Sequence, residues 1–435
     1  MKAGGTSVKG VAMVAEIKGS PGEDAAEKEP AAPRIKRQYF PELQGIRAIA
    51  VLAVLVVHGS LTAGVLGFLN HPRDGAFAII IERFCRESLP VLFALSGMLL
   101  YRPFALAALA GARSPNLRSY FWRRAIRIFP AYWLLVAIML PVFNSNAIHG
   151  FWFLVRVETM QHVYKMGDIP KGMEQTWSMA TETAFYVLLP IFAWAVDRWT
   201  RRLTDPAAKA RRMLTAIMAI IVVSYVFQYY SHQPSLGFYP VQGNWPIGWF
   251  GYLAVGMALA VLSVTREVAP DRTPVIYRLI ARRPNASWLA ALVVLVLFCF
   301  SPENDQGTAD YPKLGVTMFN LWIDLLIVAL VLAPLTLPQE KPRLMRATLT
   351  ARPLMFIAKI SYSMFLWHIA ILYWFNGTLT GNRNWFLTMA VVIGGSFLAA
   401  CVSYYTVEGP ALRLRSRVGH TTAKPSVAVL EKSPS

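Results

Sequence analysis

The sequence predicts an all-α integral membrane protein, a bundle of about ten transmembrane helices with the N- and C-termini cytoplasmic. Two observations carry this. Hydrophobic residues make up 55% of the 435 positions, and they gather in runs near the roughly 20 residues that a bilayer core demands. The chain is also strongly basic, +19 formally, but its Lys and Arg residues cluster in every second short loop between apolar runs. That placement is the positive-inside pattern, and it argues against nucleic acid as the partner of the charge. The cysteines Cys85, Cys299 and Cys401 are scattered and odd in number, so neither a disulfide framework nor a zinc-type spacing is implied. No metal site is expected.

Residues 1–37 hold few large apolar side chains and read as a disordered tail. The first long apolar run begins too late for a signal peptide, and the basic RIKR at 34–37 should keep this end inside. A transmembrane domain is expected over 38–415, with a second loose tail over 416–435. Its spans fall at about 45–66, 84–101, 127–143, 177–197, 213–229, 247–264, 288–302, 315–335, 356–375 and 385–407. The loops 102–126, 198–212, 265–287 and 336–355 are all rich in arginine, whereas the intervening ones are poor in Lys and Arg. A missed or false span would break this alternation.

The first span carries Arg47 and His58. Eleven residues make about three helical turns, so both side chains share a face, about 16 Å apart along the axis. Ionisable groups inside a span usually face a polar cavity, which suggests a lined channel with a cation near its inner mouth and a general base deeper in. The plainer reading is an arginine snorkelling to headgroups and a histidine bonded between helices. The first basic loop ends in RRAIRIFPAYW, where Arg123 and Arg127 share a helix face beside Arg124; such forks suit phosphates as well as the positive-inside rule. Glu182 lies near the outer end of the fourth span, where it could orient His58, bind an acceptor hydroxyl or pair with a basic group. Nearby Trp177 suits either an interfacial belt or a sugar-stacking surface. His368 falls past the middle of the ninth span, Asp324 is a buried carboxylate without an assigned role, and Glu408 sits at the inner end of the tenth span, within reach of inner-mouth arginines. Ser96 and Gly97 in FALSGMLL are small residues that let helices approach closely.

Taken together, these motifs resemble the acyltransferase 3 family, membrane enzymes that O-acylate carbohydrates, glycolipids and some natural products. The first span carries the family's Arg-ten-residues-His signature as Arg47 and His58. FALSGMLL, RRAIRIFPAYW, TWSMATETAFYVLLP, ISYSMFLWH and VEGPALR follow in the family's order across residues 38–415. Met98, Thr183, Ala370 and Gly409 depart from the usual residues. Some members carry an added SGNH-type hydrolase domain; no segment here is long enough for one, so the membrane domain is expected to act alone or with a separate partner.

The resemblance implies acyl-CoA, most simply acetyl-CoA, as a co-substrate docking from the cytoplasm, with no permanently bound cofactor. Arg123, Arg124 and Arg127 would hold its phosphates, Arg47 would guide the thioester arm, and Tyr132 and Ser96 belong to the same acyl-CoA motifs. His58 would act as general base, aided by Glu182, with Trp177, His368 and Glu408 binding the acceptor or supporting the site. A transient acyl-histidine is the alternative chemistry. The acceptor is expected to be a hydroxyl-bearing carbohydrate or lipid at a bacterial plasma membrane, such as an envelope glycolipid of the trehalose type, or otherwise a macrolide-type product. Two rival classes are a proton-coupled lipid or polyketide carrier and a scaffold without catalysis. The enzyme reading alone predicts thioester consumption.

Overall fold

A computed structural model describes residues 39–66, 75–165, 167–237, 240–301, 314–337, 341–381 and 383–414. The two expected tails, 1–37 and 416–435, lie outside the described residues.

Every described regular element is helical. In chain order the α-helices are α1 (Pro41–Thr62), α2 (Gly75–Arg86), α3 (Ser88–Ala110), α4 (Leu117–Phe143), α5 (Phe151–Glu158), α6 (Thr176–Thr200), α7 (Pro206–Ser231) and α8 (Pro246–Val268). They continue as α9 (Val275–Arg282), α10 (Pro284–Cys299), α11 (Leu314–Leu332), α12 (Arg343–Leu349), α13 (Arg352–Asn376), α14 (Trp385–Ser403) and α15 (Gly409–Arg413). Among the described residues nine helical segments are long and apolar enough to cross a membrane, or ten if α9 and α10, bent by 105°, form one broken span. The seventh expected span, 288–302, is therefore one arm of a bent pair. Its break falls at Pro284, a residue that opens helices and disrupts their interiors. The second span is longer than hydropathy suggests, because α2 and α3 run on as one segment from Gly75 to Ala110. The first basic loop is also largely helical, since Asn116 caps α4 by accepting from Ser119 N (2.9 Å) and starts the helix ten residues before the apolar run.

The outward faces are apolar, as a lipid solvent requires: Trp194 on α6, Val226 on α7, Leu297 on α10 and Leu398 on α14 are each at least 60% exposed. The chain is a multi-pass membrane protein. Its interior is built as two packed groups. In one, Val51 and Leu55 of α1 meet Ile360, Met364, Ile369 and Leu372 of α13 and Met389 and Val392 of α14. In the other, α3 lies along α8 at very short range. A Cβ on Gly97 would overlap the carbonyl of Leu253, and one on Gly256 would overlap that of Ala94. Backbone on both sides leaves nothing to yield, so glycine is required at each crossing. Asp324 of α11, 1% exposed, accepts from Tyr252 OH of α8 (3.1 Å) and lies 3.4 Å from Arg86, which fixes the α2–α3 junction. The segment between α4 and α6 is folded around buried Asp168, which takes Arg156 Nε at 2.5 Å.

Candidate active site

A cleft with about 790 Å³ of empty volume, its open mouth included, opens among α1, α3, α4, α6 and α13. α1 lines it with Arg47 and Val51, α3 with Leu89, Leu92, Phe93, Ser96, Leu99 and Leu100, and α6 with Ser178, Met179, Glu182 and Tyr186. α13 adds Ser361, Tyr362 and Phe365, and α4 adds Arg124, Arg127 and Ile128. Each set follows the three-to-four spacing of one helix face. Ser96 and Gly97 divide the labour: the serine faces the cleft, while the next residue admits α8.

One end of the cleft is cationic. Arg47, Arg124 and Arg127 share it with a single carboxylate, Glu182. That carboxylate is engaged on both oxygens, by Ser96 Oγ (2.6 Å) and by Tyr186 OH (2.7 Å). Arg47 donates to Gln44 Oε1 (2.8 Å). The Arg124 guanidinium lies 5.7 Å over the Tyr186 ring, and its Nε is buried without a hydrogen-bond partner. Positive charge therefore exceeds negative, in a site where water does little to screen it.

Beyond the residues that line the cleft lies a pair of histidines. Following the stripes of α1 and α13 beyond Val51 and Phe365 leads to His58 and His368, whose rings are 4.9 Å apart. His368 is fully buried. Its Nδ1 is 2.6 Å from Phe365 O, and its Nε2 is 3.3 Å from His58 Nδ1. His58 Nδ1 also lies 3.0 Å from Val54 O. A carbonyl oxygen only accepts, so both Nδ1 atoms carry hydrogen. His368 Nε2 is then the acceptor of the pair, and His58 Nε2 is left as an unprotonated nitrogen. The tautomers follow from the hydrogen-bond network rather than from visible hydrogens.

Several expected placements change. Glu182 does not reach His58; the partner of His58 is His368, 310 residues away in sequence. Arg123 is outside the cleft lining, although Arg124 and Arg127 are in it. Tyr132 is fully buried and donates to Val157 O (2.5 Å), so it ties α5 to α4 instead of facing the cleft. Trp177 packs against Trp249 (4.6 Å between centroids) and Phe93 (6.3 Å), part of an aromatic cluster beside the cleft. A π-helical turn over Tyr404–Glu408 turns Glu408 inward, where it accepts from Ser363 Oγ (2.8 Å) and interacts through its charge with Arg127, one of the inner-mouth arginines. Tyr186 and Tyr362 were not singled out from sequence. The signal for Tyr186 was its spacing of four from Glu182, which places the two on one helix face.

Fold and site together define a class: a multi-pass helical membrane protein with a cationic cleft and, further along two of the helices that line it, a pair of histidines. The chain belongs to the acyltransferase 3 family, whose acyltransferase domain it matches over residues 40–408. It is similar to the peptidoglycan O-acetyltransferase OatA of Listeria monocytogenes, 20% identical over 87% of this chain and 56% of that protein. It is similar also to YrhL of Bacillus subtilis, a putative peptidoglycan O-acetyltransferase (22% identical, 86% of this chain, 55% of that protein). A putative O-acetyltransferase of Staphylococcus aureus strain COL is 23% identical over 86% of this chain and 58% of its own length. The chain thus spans little more than half the length of these curated relatives. No solved structure matches it.

Proposed function

We propose that this protein is a membrane O-acyltransferase that moves an acyl group, acetyl in the simplest case, from acyl-CoA to a hydroxyl of an envelope carbohydrate. The observation that carries this is two unlike groups joined by one helix, three arginines that line the cleft, Arg47 of α1 among them, and, further along α1, a histidine with a free Nε2. Arg47 and His58 are about 16 Å apart along α1. That separation suits a donor with a phosphate-bearing head and a long thin arm ending in a thioester. Arg124 and Arg127 bind the phosphates, as planar forks do, and Arg47 lies beside the arm. Glu182, held by Ser96 and Tyr186, shapes the cleft wall and limits its positive field.

His58 Nε2 takes the proton of the acceptor hydroxyl as that oxygen attacks the thioester carbonyl. The C–O bond forms, the tetrahedral intermediate collapses, the C–S bond breaks, and the imidazolium returns its proton to the CoA thiolate. His368 holds the His58 ring so that Nε2, not Nδ1, is the basic atom. General base catalysis of this kind contributes about 10²–10⁴-fold. The arginine-rich loops support an arginine end toward the cytoplasm, with donor and acceptor approaching from opposite faces of a bacterial plasma membrane. The names of the relatives favour a glycan as acceptor, with an envelope glycolipid as the second arm of the test.

The test is CoA thiol release by the full chain in lipid nanodiscs, with acetyl-CoA and separate glycan and glycolipid fractions. Acceptor-dependent release that is lost in His58→Ala is the expected result. Equal release in both removes His58 from the chemistry, and failure to bind or consume any acyl-CoA overturns the enzyme reading.

A further inference from the structure

We infer that Gln175 forms the acceptor subsite, its Oε1 receiving a hydrogen bond from a second hydroxyl of the carbohydrate next to the one that is acylated. This rests on the proposed transfer to an envelope carbohydrate and adds to it the group that distinguishes a polyol from a simple alcohol.

Gln175 is 3% exposed. Its Nε2 is 2.5 Å from Leu366 O. Since that carbonyl only accepts, the assignment of nitrogen and oxygen in the side-chain amide is fixed. Oε1 is then the other atom, and it is buried without a hydrogen-bond partner. Leaving such an acceptor unmade costs about 1–3 kcal/mol, so an apolar side chain would serve better if the residue only filled space. An amide oxygen accepts and cannot donate, which makes a hydroxyl a fitting ligand.

Its location follows from the helix stripes. Along α6 the cleft-lining residues are Tyr186, Glu182, Met179 and Ser178, and Gln175, the N-cap of that helix and outside the cleft lining, stands one turn further along the same stripe. The direction is away from the arginines. On α13 the same direction runs from Phe365 to His368, and the carbonyl that holds Gln175 belongs to Leu366, two residues before His368. The Phe365 carbonyl accepts from His368 Nδ1 and the adjacent Leu366 carbonyl accepts from Gln175 Nε2. One turn of α13 thus aligns both the histidine pair and the glutamine.

The loop that carries Gln175 is rigidly held, as a specificity group requires. Asn144 bonds the backbone of Lys171 on both sides, through Nδ2 to its O (3.0 Å) and through Oδ1 to its N (2.8 Å). Gly172 turns at φ +79°, pressed between Met139 and Ala370, where the left-handed backbone favours glycine. Tyr373 OH donates to Glu174 Oε1 (2.6 Å), and Thr176 Oγ1 donates to Met173 O (2.6 Å).

The experiment compares the full chain with Gln175→Met, which removes the oxygen at nearly constant volume, and with Gln175→Glu, which keeps acceptor oxygens and loses the amide donor. Acceptor probes are trehalose and a β-1,4-linked N-acetylglucosamine tetrasaccharide, each with its monodeoxy derivatives; CoA release and product are measured at saturating acetyl-CoA. We expect one monodeoxy acceptor to be about 10–100-fold poorer for the wild-type chain, from the cost of an unmade buried hydrogen bond. That penalty should vanish in Gln175→Met and persist in Gln175→Glu, with KM for acetyl-CoA unchanged in both. If Gln175→Met does not fold, Gln175→Leu, which also lacks the acceptor oxygen, takes its place: loss of the penalty decides for the subsite and its persistence decides against. An equal deoxy penalty in the wild type and Gln175→Met assigns Gln175 a structural role and overturns the inference while the transfer reading stands. Absence of acetyl transfer to any carbohydrate by the wild-type chain overturns that reading, and the inference with it.

Discussion

The cationic cleft and the histidine pair beyond it solve opposite problems with the same materials. At the arginine end, charge is left in excess: three guanidiniums face one carboxylate whose oxygens are already taken by Ser96 and Tyr186. At the histidine pair the position of each ring hydrogen follows from a partner, and the groups left over include an unprotonated His58 Nε2 and an unpartnered Gln175 Oε1. Uncompensated charge attracts a ligand from a distance but fixes its atoms loosely. A network with one vacancy does the reverse, since it attracts weakly and orients strictly. Binding and chemistry are thereby separated along a single path.

That comparison is broken most directly at His58. His58→Ala should lower acyl transfer about 10²–10⁴-fold while acetyl-CoA binding, measured by calorimetry in nanodiscs, persists. A loss of donor binding instead would merge the two ends into one. Next comes His368→Phe, which keeps the packing and removes the acceptor of the His58 Nδ1–H bond. Misplacing a catalytic group costs on the order of 10²-fold, so kcat should fall by about that factor with KM for acetyl-CoA unaltered. The arginines supply the converse. Arg124→Ala and Arg127→Ala should each raise KM for acetyl-CoA roughly 10–100-fold, the worth of about 1.5–3 kcal/mol for a charged hydrogen bond. The effect should shrink with added salt and leave kcat little changed.

The smallest effect sharpens the histidine end from outside the membrane. His162, between α5 and α6, is buried and bonds Thr176 Oγ1 through Nε2 (2.8 Å), at the start of the helix whose N-cap is Gln175. Burial lowers its pKa from 6.5 to about 4. The neutral ring is the folded form, so its contribution is fully present above pH 6.5 and is lost progressively as pH falls toward 4. The upper limit is about 3 kcal/mol. In His162→Asn, thermal stability measured from pH 7 to pH 4 should decline less steeply than in the wild type; parallel curves would show that this histidine does not govern the loop.

Much of this site was legible in the sequence. Arg47 and His58 sit on one continuous helix, so their shared face follows from helical period alone, and the same holds for Arg124 and Arg127. The failures share one cause. Glu182 was an attractive partner for His58 because both are ionisable and both lie in the outer half of their spans, but proximity between spans depends on how the helices rotate and pack. Tyr132 was read through its motif, yet its hydroxyl serves the α5 backbone. Asp324 had no role until Arg86 and Tyr252 were seen against it.

The sequence by itself determined the membrane class, the approximate spans and the residues within each span that share a face, because hydrophobic run length and a period of 3.6 are local properties. Only the tertiary structure decided which faces meet. It set His368 against His58, closed Glu182 with Ser96 and Tyr186, locked α3 to α8 through Gly97 and Gly256, and left one oxygen of Gln175 without a partner. Apart from Glu182 with Tyr186, four positions apart on one helix, those pairings join residues scores to hundreds of positions apart, and they are fixed by close packing between helices, which no local pattern encodes.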